Sequence, residues 1–326
     1  MIPKSGNRFS EKIMRDHKYP RRILCAGIAV QDIVMRVEHF PAPGAKVSAS
    51  DFIITGGGCA ANAALAVARL GGEARFAGPL GGEDDAISAR IVADLAAEGV
   101  DCTGVERVAG AGASVSLILL DAGGEKSIAT RRGHGLNGTL PRDAAALVAR
   151  ADAVLIDNRF PEFVAAIARA AKARNIPLII DLDLATQPDD PLLALGTHVI
   201  ASSEALTGST GTHDFGAALA RLAAHNEGFL AVTDGANGLY WRDGGALRHM
   251  PAFPVTAIDS LGAGDVFHAA FTLAIAEGRD VATALRFASA AAALKCTRFG
   301  GAAGAPERAE VETFLAARQV ALASKP

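Results

Sequence analysis

The sequence predicts an α/β protein: a three-layer body around a mostly parallel central sheet, with a small β-sheet inserted into it. Three observations lead there. Short apolar runs alternate with longer Ala/Leu-rich amphipathic stretches, the pattern of parallel strands joined by covering helices. Two segments, 32–55 and 113–132, break that rhythm and carry no helical period. Half of the 326 residues are apolar, enough for a large core on both faces of a sheet.

In chain order, buried strands are expected at 23–29, 74–78, 153–156, 178–181, 198–201 and 229–232, each too short for a helix. Helices are expected at 60–70, 85–98, 142–149, 163–174, 215–225, 263–277 and 281–294, where the amphipathic pattern runs longer. In the second irregular segment, Asp121-Ala122-Gly123-Gly124 separates two strand-like runs and reads as a hairpin turn. The body is therefore expected at 22–31, 56–112 and 133–326, and the small sheet at 32–55 and 113–132. Such a sheet could close as a lid over the crevice at the strand ends. Residues 1–21 mix both charge signs without an apolar run and read as a flexible tail.

Composition excludes several functions. With 32 Lys and Arg against 35 Asp and Glu, the net charge of −3 gives no electrostatic reason for a nucleic-acid partner. Aromatics make up only 5% of the chain, which argues against a base-stacking surface. The four cysteines, at 25, 59, 102 and 296, form no C-x-x-C pair and no zinc-type spacing, so they read as free thiols in a reducing compartment. No secretory pattern and no membrane-length apolar run is present, and the expected location is the cytoplasm.

The 35 glycines are informative by position. Gly56-Gly57-Gly58 directly precedes an Ala-rich helix, where bare main chain could approach a ligand and Asn62 could meet a hydroxyl; a plain strand-to-helix turn would look the same. Gly262-Ala263-Gly264-Asp265 opens another helix. Unpaired N–H groups there suit a phosphate, and a carboxylate beside them could take a proton from an attacking hydroxyl. Asp265 also fits an ordinary N-cap. Thr233, Gly235 and Gly238 follow a strand and fit either a nucleotide-phosphate cradle or a hairpin turn.

These residues resemble the ribokinase-like (PfkB) carbohydrate kinases. Gly57, Gly58, Ala60, Asn62, Ala64, Gly71 and Gly81 match one long pattern of that family, and Asp259, Ser260, Gly262, Ala263, Gly264 and Asp265 match another. The resemblance spans roughly 22–315. It implies a ribokinase-like fold and ATP-dependent phosphorylation of a sugar-type hydroxyl. Carried over by position, it implies Asp265 as base, Gly262, Ala263 and Gly264 as anion hole, and Asp32, Gly57, Gly58 and Asn62 as sugar contacts. It further implies Thr233, Gly235, Gly238 and Ser289 as nucleotide contacts, with Mg²⁺ and room for a monovalent cation as cofactors.

One departure stands out. Where many members carry N-x-x-E near the magnesium region, this chain reads Ser203-Glu204-Ala205-Leu206. Asp181 and Asp183 are the candidate metal residues in its place, acting through water. Arg159, at a strand end, and Lys46, in the expected lid, are candidates for an anionic group on the acceptor. The segment from Leu294 to Gly304, LKCTRFGGAAG, looks most like the sulfofructose kinase branch. That likeness implies transfer to a primary hydroxyl of a ketose or an anionic modified sugar such as 6-deoxy-6-sulfofructose. Neutral-sugar kinases of ribokinase, ketohexokinase or fructokinase type, and nucleoside kinases, share several features, and a non-catalytic binder is the remaining alternative. The inserted sheet leaves edges on which a homodimer could form.

Overall fold

The computed structural model describes residues 20–323, with side chains through 318. The tail expected at 1–21 lies outside the described residues except for its last two. In chain order the elements are β1 (Arg22–Ala26), β2 (Val30–Arg36), β3 (Asp51–Gly57), α1 (Cys59–Arg69), β4 (Glu73–Gly81), α2 (Ala86–Ala97) and β5 (Asp101–Val108). Next come β6 (Ser114–Leu120), β7 (Lys126–Arg131), α3 (Ala144–Val148), β8 (Ala153–Asp157), α4 (Pro161–Ala173), β9 (Leu178–Leu182), β10 (His198–Ser202) and α5 (Ser203–Thr210). The chain continues through α6 (Phe215–Ala223), β11 (Phe229–Thr233), β12 (Leu239–Asp243), β13 (Ala246–Met250), α7 (Ala263–Ala276), α8 (Val281–Cys296) and α9 (Arg308–Ala323).

Nine strands form the main sheet in the order β13-β12-β11-β10-β9-β8-β1-β4-β5, parallel except at β12 and β13. Side chains alternate between two cores. Ile23, Cys25, Leu155, Ile179 and Ile200 pack with α1, α7 and α8, while Leu24, Ala26, Val154, Ile156 and Ile180 pack with α4 and α6 on the other face. Strands buried on both faces read as continuous apolar runs, which is why they were visible in the sequence. From β1 the chain moves outward to β4 and β5, then returns to β8 on the opposite side of β1. That reversal opens a crevice at the carboxyl ends of β1 and β8.

The second sheet has four strands in the order β3-β2-β6-β7, with β2 and β6 parallel and the outer pairs antiparallel. Pairing alternates its faces. Asp32, Val34, Ser116 and Ile118 are buried, while Ile33, Met35, Leu117 and Leu119 on the opposite face are at least partly exposed. Phe52 and Ile54 of β3 pair opposite Met35 and Ile33 and extend that apolar face.

Four parts of the fold lie beyond the sequence expectation. β5 is an edge strand of mixed polarity, and α5 and α9 carry weak apolar stripes. The β12–β13 hairpin turns at Gly244-Gly245, both with positive φ, the geometry a two-residue turn demands.

Candidate active site

Two glycine-led helices bring the site together. α1 begins at Gly58 (φ 91°), where a Cβ would lie 2.6 Å from the Ile28 carbonyl oxygen. α7 begins at Gly262, which takes the left-handed conformation (φ 75°) as N-cap. Both helices pack through small residues: Ala60, Ala63 and Ala64 on α1, Ala269, Ala270 and Ala274 on α7, all buried in one core. Side chains this small let the helix axes approach. The two N-termini meet, and Asn62 Nδ2 donates to Asp265 Oδ2 at 2.6 Å across 203 residues of sequence.

α7 runs through the interior, with Val266 through Ala274 all buried. Asp265 therefore sits half-buried at the mouth of a desolvated helix, its N–H-rich end unpaired within the helix. Burial pushes its pKa up to about 7; the Asn62 hydrogen bond opposes this, and the Asp183, Asp157 and Asp32 charges add to it. Gly264 is exposed, and a Cβ there would meet nothing within 4 Å, so open space adjoins Asp265.

Asp32 reaches the site from β2 of the small sheet and is 7% exposed. Burial raises it to about 6, against a hydrogen bond from Ser116. A Cβ on Gly57 would collide with the Asp32 carboxyl, so glycine is required for this approach. Gly58 borders the same corner as the cap of α1.

At the crevice itself stands Asp157, which sequence reasoning did not single out. Its carboxylate accepts N–H bonds from Ile28 (2.8 Å), Ala60 (3.1 Å) and Arg159 (2.9 Å), tying β1, α1 and the β8 end together. A Cβ on Gly27 would strike it. Burial raises its pKa to about 6, with those three N–H groups and the Arg159 charge opposing. The signal was present: an apolar strand ending in Asp, repeated in the next strand as Asp181. Asp157 and Asp181 are register partners.

Asp181 and Asp183, two residues apart, go to different partners. Asp183 is ion-paired with Arg159. Asp181 is buried, and one of its oxygens lies within 4.8 Å of both an Asp265 oxygen and the Cys59 sulfur. Burial and the neighbouring carboxylates push Asp181 well above the usual carboxylate range, and the Cys59 thiol is raised for the same reasons. His268 closes the back of this cluster. Its Nδ1 lies 2.8 Å from the Gly264 carbonyl oxygen and its Nε2 3.5 Å from Asp181 Oδ1, with burial holding its pKa down.

The remaining candidates lie further out. Thr233 ends β11 beside Ser202 of β10, and Gly235 and Gly238 form the turn into β12, so the segment is a hairpin connection at the strand ends. At Gly238 (φ 94°) a Cβ would collide with the Met250 carbonyl. Ser289 is half-buried in the middle of α8. Lys46 is exposed in the β2–β3 connection. Glu204 is exposed in the first turn of α5, which Ser202 caps. Arg159 is held at the β8 end by Asp183, and its buried Nε makes no hydrogen bond among the described residues.

A parallel sheet with its crevice at the switch point, a carboxylate at a buried helix N-terminus and a second sheet that delivers another acid together define a small-molecule phosphotransferase. The comparisons give the family. The model of the pfkB family carbohydrate kinases matches residues 20–308, and the chain belongs to that family. The ribokinase of Bacillus subtilis is 32% identical over 298 residues, covering 90% of this chain and 99% of the relative. An ATP-dependent ribose-1-phosphate kinase of Halopiger xanaduensis is 31% identical over 308 residues, covering 91% and 99%. A crystal structure of a putative ribokinase from Agrobacterium tumefaciens superposes with a TM-score of 0.86 at 37% identity, covering 92% of this chain and 98% of that one. The chain is thus an ATP-dependent carbohydrate kinase. Among the described residues, no helix is long and apolar enough to cross a membrane.

Proposed function

We propose that the enzyme transfers the γ-phosphoryl group of ATP to a primary hydroxyl of a small sugar carrying an anionic group, with a sulfonated ketose such as 6-deoxy-6-sulfofructose as the leading candidate. The observation that carries the transfer step is the Asp265–Asn62 contact at the joined helix N-termini. Asp265, with a pKa near neutrality, accepts the proton of the attacking hydroxyl as its oxygen bonds to phosphorus and the bond to ADP breaks. Of the expected anion hole Gly262, Ala263 and Gly264, the Ala263 N–H is already donated to the Ser260 carbonyl oxygen, so the N–H groups of Gly264 and Asp265 are the ones assigned to the charge that develops on the transferred phosphoryl oxygens. Asp32 and Asn62, with the bare main chain of Gly57 and Gly58, hold the acceptor's hydroxyls. Thr233, Gly235, Gly238 and Ser289 are assigned to the nucleotide.

The reaction class implies Mg²⁺, which neutralises the triphosphate when bound. Asp181 and Asp265 offer oxygens of the right chemistry within 4.8 Å, although the third member of that cluster, the Cys59 thiol, suits softer metals. Asp181 is the residue that would hold the ion together with the phosphates. Asp183 serves Arg159 instead.

An anionic acceptor is favoured by Arg159, a guanidinium with an unpartnered Nε at the edge of the crevice, and by the name of the Halopiger relative, which acts on a phosphorylated sugar. A neutral-sugar reading is favoured by the Asp183 ion pair, which already neutralises Arg159, and by the ribokinase relatives. Initial rates with ribose, fructose, ribose-1-phosphate and 6-deoxy-6-sulfofructose decide between them. The anionic reading expects kcat/KM highest for an anionic acceptor and a loss of about tenfold to a hundredfold with Arg159→Leu, confined to that acceptor. An Arg159→Leu enzyme with unchanged preference refutes it.

The small sheet is the proposed lid, since it carries Asp32 to the acceptor. Its outer face leaves Phe52 (54%), Ile54 (45%) and Leu117 (42%) exposed, and a second copy of this chain is the proposed partner for that face.

A further inference from the structure

Beneath the turn into α7 lies an ammonium group that the phosphoryl-transfer chemistry does not call for. Lys295, near the end of α8, is completely buried. Its Nζ donates to the Asp259 main-chain oxygen at 2.7 Å and pairs with Asp259 Oδ2 at 3.1 Å. Asp259 is itself fully buried, and its carboxylate is fully engaged. Oδ1 accepts the Leu261 N–H (2.7 Å), and Oδ2 accepts the N–H groups of Gly300 (3.0 Å) and Gly301 (2.9 Å). The Cys296 carbonyl in turn accepts the N–H groups of Ile258 and Asp259.

This one charge pair joins three segments: the 258–262 loop that sets Gly262 as cap of α7, the end of α8, and the turn at 300–304. The last of these packs beneath the small sheet, because Gly300 and Gly301 lie against Ile53 and Thr55 of β3. The Asp259 carboxylate and main-chain oxygens that converge on this point are hard oxygen donors of the kind an alkali cation takes. Here the place is filled. An ammonium carries the same single charge as K⁺ at similar size, and it is covalently attached, so no binding equilibrium is needed. A free monovalent ion does not fit at Asp259 alongside it.

We propose that Lys295 is a positioning residue whose ammonium acts as a built-in monovalent cation, fixing the loop that shapes the N-terminus of α7, so that the kinase needs no K⁺ there. The inference rests on the assignment of that helix end to phosphoryl transfer, but its thermal readout does not.

The test compares K⁺, NH₄⁺ and tetramethylammonium chlorides at constant ionic strength. For the wild type, the melting temperature and kcat are expected to be the same in all three salts. Activation by K⁺ of about tenfold or more would overturn the proposal. Lys295→Ala vacates the site. In tetramethylammonium its kcat is expected to fall about tenfold or more, with KM for ATP changed less. K⁺ or NH₄⁺ should restore activity and raise the melting temperature by about 3 °C or more. A folded variant equally impaired and equally stable in every salt would mean a merely structural lysine and refute the idea. Stability rescued without activity would uphold the cation site and reject the catalytic assignment of the helix end. If Lys295→Ala does not fold in any salt, the wild-type salt comparison is the deciding test, and activation by K⁺ of about tenfold or more refutes the proposal.

Discussion

Replacing Asp265 by Asn separates two consequences of one buried carboxylate. The side chain keeps its size, and its carbonyl oxygen can still accept the Asn62 amide that now bonds Oδ2 at 2.6 Å. Catalysis loses the proposed base, so kcat is expected to fall by about 10²- to 10⁴-fold. Stability moves the other way. In the folded protein the Asp265 pKa is raised from 3.8 to about 7, mainly by burial. Folded protein therefore holds a proton that the unfolded chain releases across that window. The protonated form's contribution to stability is fully present below about pH 4 and is lost as pH rises through about 7. A shift of about 3 units corresponds to at most about 4 kcal/mol above pH 7. Because the carboxyl is only half-buried, water at the mouth reduces this to about 2 kcal/mol. The variant should thus be more stable than wild type at pH 8 and nearly equal to it at pH 4. Urea unfolding at the two pH values, with a coupled ADP-release assay, measures both effects. A variant with kcat within tenfold of wild type, or no more stable at pH 8, refutes the reasoning.

The same carboxylate predicts that wild-type kcat/KM falls about tenfold per pH unit below 7, read from initial rates at subsaturating acceptor; a flat profile down to pH 5 would count against Asp265 as base. Gly57→Ala places a methyl where the Asp32 carboxyl lies, so kcat/KM for the acceptor should drop about tenfold to a hundredfold while KM for ATP changes little. On the outer face of the small sheet, Leu117→Asp should convert a dimer into a monomer in sedimentation or light scattering with the fold intact; a wild-type monomer at micromolar concentration would reject the second-copy proposal.

Much of the site was legible because its glycines occur in fixed company. Gly57, Gly58 and Asn62, and Gly262, Gly264 and Asp265, announce two helix starts where backbone must stay bare, and local chemistry alone makes that readable. Asp157 escaped notice because its role comes from N–H groups at positions 28, 60 and 159, which only the sheet order assembles. Lys295 escaped for a similar reason. A lysine in an Ala-rich helix looks like a solvated charge until Asp259 is found against it, with both side chains out of water.

The alternation of apolar runs and amphipathic stretches determined by itself that this chain would build a covered parallel sheet, because burial on both faces leaves a local pattern in every strand. It also marked the two β segments that form the second sheet. Tertiary structure alone decided which charges meet. Asp183 went to Arg159 and Asp181 to His268 and the Asp265 cluster, although the two acids are neighbours on one strand end. Pairing of charges depends on distances across the fold, and the parallel register of β9 on β8, with β8 next to β1, sets those distances.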